Sequence, residues 1–304
     1  MKFRSEYKAQ KAPFSLDPQK PVVLSGSCFS QHIAAKMTEC RWEAINPLGT
    51  LYNPYSISSA IEMMVSGEKG KERFESSLFC FNGVWNSHMF DSSFSSSVRE
   101  DCLKEFEIRQ NTFKNKLSEG KAIIITFGTS ICQCLKENSG IVGNCHKQPS
   151  SLFYERRLSI NEITDIWHKE IENLKESFPG IRFIFTVSPV RHLKNGFEGN
   201  SRSKAILQLA IDEICLQHDN CWYFPAFEIL NDDLRDYRFY ASDLVHPSEE
   251  AVEYIWGNFL QTFVDEPGLR YLEEGKKAWK ASHHRPKLGA LGKPIEPIEK
   301  GTHP

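Results

Sequence analysis

The chain has 304 residues, 40% of them hydrophobic and 25% charged, a composition that suits one large or two small globular domains with a substantial core. Its 37 Lys and Arg stand against 39 Asp and Glu for a net charge of -2, so no global electrostatic case exists for nucleic acid or an anionic membrane as partner. The nine cysteines are odd in number and contain no C-x-x-C pair, which argues for reduced thiols and against a disulfide framework or a structural zinc site.

The opening, Met-Lys-Phe-Arg-Ser-Glu-Tyr-Lys, lacks the apolar core of a secretion signal, and no apolar run approaches the roughly 20 residues needed to span a bilayer. A cytoplasmic location is the expectation. Pro13, Pro18 and Pro21 argue for an extended lead-in. At 21 to 25 a strand, Val22-Val23-Leu24, runs into small residues, Ser25-Gly26-Ser27, and a helix follows over about 29 to 41 with Phe29, Ile33, Ala34 and Met37 at helical spacing. The chemistry of such a junction comes from the unpaired N–H groups of the helix start, which stabilise an anion formed beside them. Ser27 and Cys28 both place a nucleophilic side chain there, and the residues alone leave the choice between them open. A thiol at Cys28 is expected to have a lowered pKa, since the helix dipole and a nearby imidazolium both favour thiolate.

The loop Asn46-Pro-Leu-Gly49-Thr-Leu-Tyr52-Asn53-Pro54 follows, then a helix carrying Ile57, Ala60, Ile61, Met64 and Val65. Gly49 offers an N–H and Asn53 a side-chain donor, although Asn-Pro pairs also simply make turns. Gly67-Glu-Lys-Gly-Lys-Glu72 lacks the glycine spacing and the hydroxyl of a phosphate loop. Residues 78 to 90 read as a β-hairpin turning at Asn82-Gly83, an insertion able to wall a pocket, and 92 to 118 as a serine-rich cap followed by an amphipathic helix.

Lys121 to Gly128 is the clearest buried strand, and it too ends on small residues, Gly128-Thr129-Ser130. Asn144 and His146 fall in a loop over 140 to 147, equally suited to a hydrogen-bonded turn or a substrate contact. A helix over about 161 to 178, a strand at 181 to 187, the run Ser188-Pro-Val-Arg191-His192, a helix over about 201 to 218 and a short strand at 221 to 224 complete an alternation of strands and helices. That alternation predicts a parallel sheet covered on both faces, with ligands beyond the carboxyl ends of its strands. Asp243 and His246 lie three apart before a helix with Ala251, Val252, Ile255 and Phe259 on one face and Ser248 as its N-cap. The spacing lets a carboxylate orient an imidazole toward the first turn, though the same residues also populate ordinary helix-entry turns. From about 266 a basic segment with Arg270, Lys276, Lys277, Lys280, Arg285 and Lys287 reads as a solvated helix and a loose tail.

Gly26-Ser-Cys-Phe-Ser30, Tyr52-Asn-Pro54, Asn144-Cys-His-Lys147, Ser188-Pro-Val-Arg-His192 and Asp243-Leu-Val-His246, in this order, resemble the GSCFA family over roughly residues 1 to 265, with Ser30 in place of the alanine that ends the family's first motif. That family is similar to the SGNH or GDSL hydrolases. The resemblance implies a three-layer flavodoxin-like α/β fold with a small hairpin insertion, and a nucleophile after the first strand. It also implies a terminal Asp-x-x-His and oxyanion donors from the glycine and asparagine blocks. Gly49 would be the glycine-block donor. In the third block, Gly128-Thr129-Ser130 places serine where asparagine is expected, so the oxyanion hole would either lack that donor or borrow it from Asn53 or Asn144.

The resulting expectation is a domain over 1 to 265 that cleaves or transfers an acyl group on a carbohydrate or small-metabolite ester, with no metal or organic cofactor. Cys28 or Ser27 would attack, His246 would carry the proton and Asp243 would orient His246. A binding module that kept the cleft without turnover is the alternative.

Overall fold

The structure is a computed structural model and describes residues 4–283. Five strands, β1 (Val22–Gly26), β2 (Ala44–Ile45), β5 (Ala122–Phe127), β9 (Arg182–Val187) and β10 (Cys221–Tyr223), form a wholly parallel sheet in the order β10-β9-β5-β1-β2. Numbered by their turn in the sheet this is 2-1-3-4-5, the flavodoxin-like order, so the strand direction of travel reverses between β1 and β5. The expected three-layer α/β fold is what the chain adopts.

The sheet is apolar on both faces because both are covered. Val23, Ile123, Ile125, Phe183 and Phe185 point to one side, into a core shared with α2 (Pro54–Val65), α4 (Arg99–Gly120), α5 (Ile160–Ser177) and α6 (Gly196–Gln217). Val22, Leu24, Ile124 and Ile184 point to the other, toward α1 (Phe29–Glu39) and α8 (Glu249–Phe263). The period of two in the strands thus sorts neighbouring residues into separate cores. Helix α9 (Glu266–His283) joins the second core through Leu272, and Lys276 pairs with Glu253 of α8 at 2.8 Å. Arg270, Lys276, Lys277 and Lys280 lie on this helix, and Arg285 and Lys287 fall outside the described residues.

The hairpin forms where its turn chemistry put it: β3 (Leu78–Phe81) pairs antiparallel with β4 (Val84–Ser87), and Asn82 and Gly83 have φ of 51° and 76°, the left-handed pair that a two-residue hairpin turn requires. Besides the two-residue β2 and short 3-10 turns, three features have no counterpart in the sequence reading. Residues Glu68–Ser76 form α3, so the stretch compared with a phosphate loop is a helix start. Ile131–Leu135 (β6), Ile141–Val142 (β7) and Phe153–Arg157 (β8) make a second, antiparallel sheet beside the main one. In β6 alternate residues are buried, a period-two signal of five residues that the adjacent loop-like composition obscured. The third is the short α7 (Ala226–Glu228), which runs into a π-helical turn over Ile229–Leu234.

At the end of β1 the chain must turn sharply while packed on β5. Gly26 has φ of 128°, and a Cβ built on it would lie 2.1 Å from the carbonyl oxygen of Thr126. Gly26→Ala is therefore expected to lose about 1–3 kcal/mol of stability, the range for a strained backbone position, with the contact added to it. Urea unfolding reads this, and an unchanged midpoint would show that the two strand ends separate freely.

Candidate active site

Beyond Gly26, Ser27 N–H donates to Thr126 O at 3.0 Å, and α1 begins at once, with Cys28 at its N-cap. Among the described residues neither Cys28 N–H nor Phe29 N–H donates to a backbone carbonyl. The thiol pKa nevertheless runs opposite to the expected lowering. Burial pushes it up, and the two N–H groups with the Lys204 ammonium pull only partly back. Cys28 therefore rests as a thiol and needs a base.

An imidazole and a carboxylate stand beside it. Cys28 Sγ lies 3.6 Å from His246 Nε2 across 218 residues of sequence, and His246 Nδ1 lies 2.7 Å from Asp243 Oδ2. The other carboxylate oxygen accepts from the N–H groups of Val245 and His246 at 2.9 and 3.0 Å. With the His246 N–H, the His246 ring and the Val245 N–H directed at it, the Asp243 carboxyl is held down to about 2. Ser27 is also buried here, but its Oγ has no hydrogen-bond partner among the described residues, and His246 faces Cys28.

Ser27, Cys28 and His246 line a cavity of about 410 Å³ over the β1/β5 switch point, with Tyr52, Asn53, Gly128 and the 188–192 loop. Of the other predicted site residues, Asn53 and Gly128 reach this cavity and four do not. Asn53 is the N-cap of α2: its Oδ1 accepts from Ser56 N–H at 2.9 Å and its Nδ2 donates to Ser56 Oγ at 3.0 Å. Gly128 N–H donates to Tyr52 O at 2.8 Å, which occupies it. Gly49 packs against the Asp91 carboxylate, which the next residue, Thr50, holds through its N–H at 2.6 Å. Ser130 is fully buried and bonded to Ser203, Oγ to Oγ at 3.2 Å. Asn144 Oδ1 caps the His146 N–H at 2.8 Å, and His146 Nε2 reaches the carbonyls of Ser87 and Phe90 at 2.7 and 3.0 Å. That pair fastens a turn to the hairpin's exit. The hairpin itself walls a different cavity, of about 540 Å³, between β3 and β6.

Sequence reading missed Lys204. Its side chain is fully buried, and Nζ donates to Gly128 O and Ser188 O, both at 2.7 Å, tying the loop after β5 to the loop after β9. Burial brings its pKa down to about 7, against the pull that a Cys28 thiolate would exert on the ammonium. The signal was available, because Lys204 shares the buried face of α6 with Leu207, Ile211 and Ile214. Farther out on the cavity wall, Glu155 is ion-paired with Lys194 and bonded to Asn195 and Gln133, which holds its carboxyl at about 2.

A parallel sheet in flavodoxin-like order, with thiol, imidazole and carboxylate in line at its switch point, defines an α/β protein with a cysteine and a histidine–aspartate pair brought together at the carboxyl edge of its sheet. The chain belongs to the GSCFA family, whose model matches residues 21–259. Among curated proteins nothing matches it. Among solved structures it is similar to a GDSL-like lipase from Bacteroides thetaiotaomicron, at 14% identity and a TM-score of 0.38, over 80% of this chain and 87% of that one. It is also similar to an acetyl xylan esterase from the rumen bacterium Butyrivibrio proteoclasticus (9%, 0.42, 89% and 67%) and to a carbohydrate esterase family 3 protein from Talaromyces cellulolyticus (8%, 0.37, 85% and 99%). No helix among the described residues is long and apolar enough to cross a membrane.

The Asp243 carboxyl is depressed in the folded protein, so the stability it contributes is present above the ordinary aspartate value of about 3.9 and is lost as pH falls toward about 2. Asp243→Asn should flatten the fall in melting temperature over that acid window and leave the fall above it unchanged. An identical acid limb in the variant would mean that Asp243 is no better held in the fold than in the unfolded chain.

Proposed function

We propose that the chain is a cysteine-dependent acyl-transfer enzyme that cleaves O-acyl esters of a carbohydrate or a small metabolite. The observation that carries this reading is the line Cys28, His246, Asp243 at a helix N-terminus on a cavity floor. As the Cys28 sulfur adds to the ester carbonyl, His246 Nε2 takes the thiol proton and Asp243 stabilises the imidazolium. The carbonyl oxygen becomes an oxyanion beside the N–H groups of Cys28 and Phe29. Collapse breaks the C–O bond to the alcohol, which leaves with the proton from His246. The acyl group then rests on sulfur as a thioester until water or an acceptor hydroxyl, deprotonated by the same imidazole, displaces it. Acceptance of water gives a hydrolase and of a sugar hydroxyl a transferase.

Turnover of p-nitrophenyl acetate by the wild type and three variants tests this. Cys28→Ala and His246→Ala should each lose roughly a thousandfold or more in kcat while keeping a cooperative melt. Ser27→Ala should keep most of its activity, and iodoacetamide should block the wild type where a fluorophosphonate does not. Wild-type turnover no faster than buffer, with a thiol no more reactive than a free cysteine, would leave a binding site without catalysis.

A further inference from the structure

The hydrogen bond between Asp243 and His246 lies wholly inside one turn, so it survives any movement of that turn and cannot by itself keep the imidazole against Cys28. Burial does not hold the turn either, for the side chains of both residues are about half exposed and Leu244 between them is 49% exposed, with φ of 58°. A leucine in the left-handed region is a strained position, stable only where its surroundings impose it.

What reaches the turn from outside is Arg191, in the loop after β9. Its backbone N–H donates to Val245 O at 3.1 Å, and its Nη1 donates to Leu244 O at 3.3 Å. Its guanidinium lies 3.9 Å from the ring centroid of Tyr240 and 5.0 Å from that of Tyr237. Tyr240 closes the base of the turn by a β-bridge to Pro247 and is itself fixed to Asn231 through its hydroxyl at 3.2 Å. Among the described residues no carboxylate forms an ion pair with Arg191. Its charge is spent on one carbonyl, Leu244 O, and two aromatic faces of one segment, while its backbone N–H holds the next carbonyl. A planar fork suits that task, since it can donate to a carbonyl at its edge while its face rests on a ring.

We infer that Arg191 is the positioning residue of the site: it grips the strained bend at Leu244 and Val245 and so sets the His246 imidazole on the Cys28 sulfur. This rests on the acyl-transfer reading only for its kinetic consequence; the placement of the imidazole against the thiol can be tested without turnover.

The first measurement is the rate of Cys28 alkylation by iodoacetamide near neutral pH in wild type, Arg191→Met, His246→Ala and the double variant, with modification at Cys28 quantified by mass spectrometry and folding checked by thermal melt. His246→Ala should slow alkylation in the wild-type background about tenfold and have little further effect in the Arg191→Met background, the non-additivity expected of residues acting through one contact. The second is the kinetics with p-nitrophenyl acetate, an uncharged ester. Arg191→Met should lower kcat about tenfold or more with KM nearly unchanged, and Arg191→Lys, which keeps the charge but loses the fork, should recover only part. Should Arg191→Met not fold, the lysine variant carries both measurements. Fully additive alkylation rates, or alkylation that does not depend on His246 even in the wild type, would overturn the inference, and so would a loss confined to KM, which would make Arg191 a substrate contact. Absence of esterase turnover with the alkylation cycle still non-additive would sink the acyl-transfer reading and leave the positioning role standing.

Discussion

Everything in this molecule is arranged around the closeness of β1 and β5 at their carboxyl ends. The two strands run parallel to the last residue of β1, where Gly26 sits so near Thr126 that only a hydrogen atom fits between the backbones. Because the chain turns there without a side chain in the way, Ser27 can bond back to Thr126 and α1 can start within two residues. The helix start then lands over the switch point, its free N–H groups on the same side as the loops after β5 and β9. Any widening of that seam would move the sulfur and both N–H groups away from the imidazole together.

The electrostatics of the site are a balance between burial and direction. Burial alone keeps the Cys28 proton on sulfur, and the same burial brings the Lys204 ammonium toward losing its own. Lys204 is retained with two carbonyls as partners and, among the described residues, no carboxylate in an ion pair with it. Such a charge is costly unless its hydrogen bonds are well made. It converts the free carbonyls at two strand ends into a single crosslink, and it supplies the one positive term from the core side that favours thiolate. Asp243 presents the opposite case: it lies at the surface and is kept ionised by directed N–H groups instead of a low-dielectric shell.

The turn at Gly26 and the alternation that makes a parallel sheet were legible because each rests on local chemistry, a strand meeting small residues and a helix start; the strand order came only from the family resemblance, the Asp243–His246 pair from a three-residue spacing, and the residues alone leave the choice between Cys28 and Ser27 open. The surroundings of the other residues named for the site were not legible. Gly49, Ser130, Asn144 and His146 stand at the right places along the chain, yet each has its hydrogen-bonding or packing committed to a neighbour that sequence order cannot reveal: Asp91, Ser203, one another, and the hairpin carbonyls. The expected fall in the thiol pKa failed for a related reason, since burial is a property of the whole fold and the helix dipole only of its first turn. The antiparallel sheet of β6, β7 and β8 was missed because two of its strands are short or largely exposed and their pattern is weak. Arg191 stood in a quoted motif without a task, and its task appears only when the loop after β9 is seen beside the bend at Leu244.

The sulfur and its base are separated by 218 residues, nearly the whole length of the sheet-forming chain. A growing polypeptide therefore exposes the cysteine early and gains the imidazole only when the segment before α8 has been made. The sulfur and the imidazole can therefore stand 3.6 Å apart only in a chain that carries both ends of this region, and one ending before the turn at 243–246 would leave Cys28 without that neighbour.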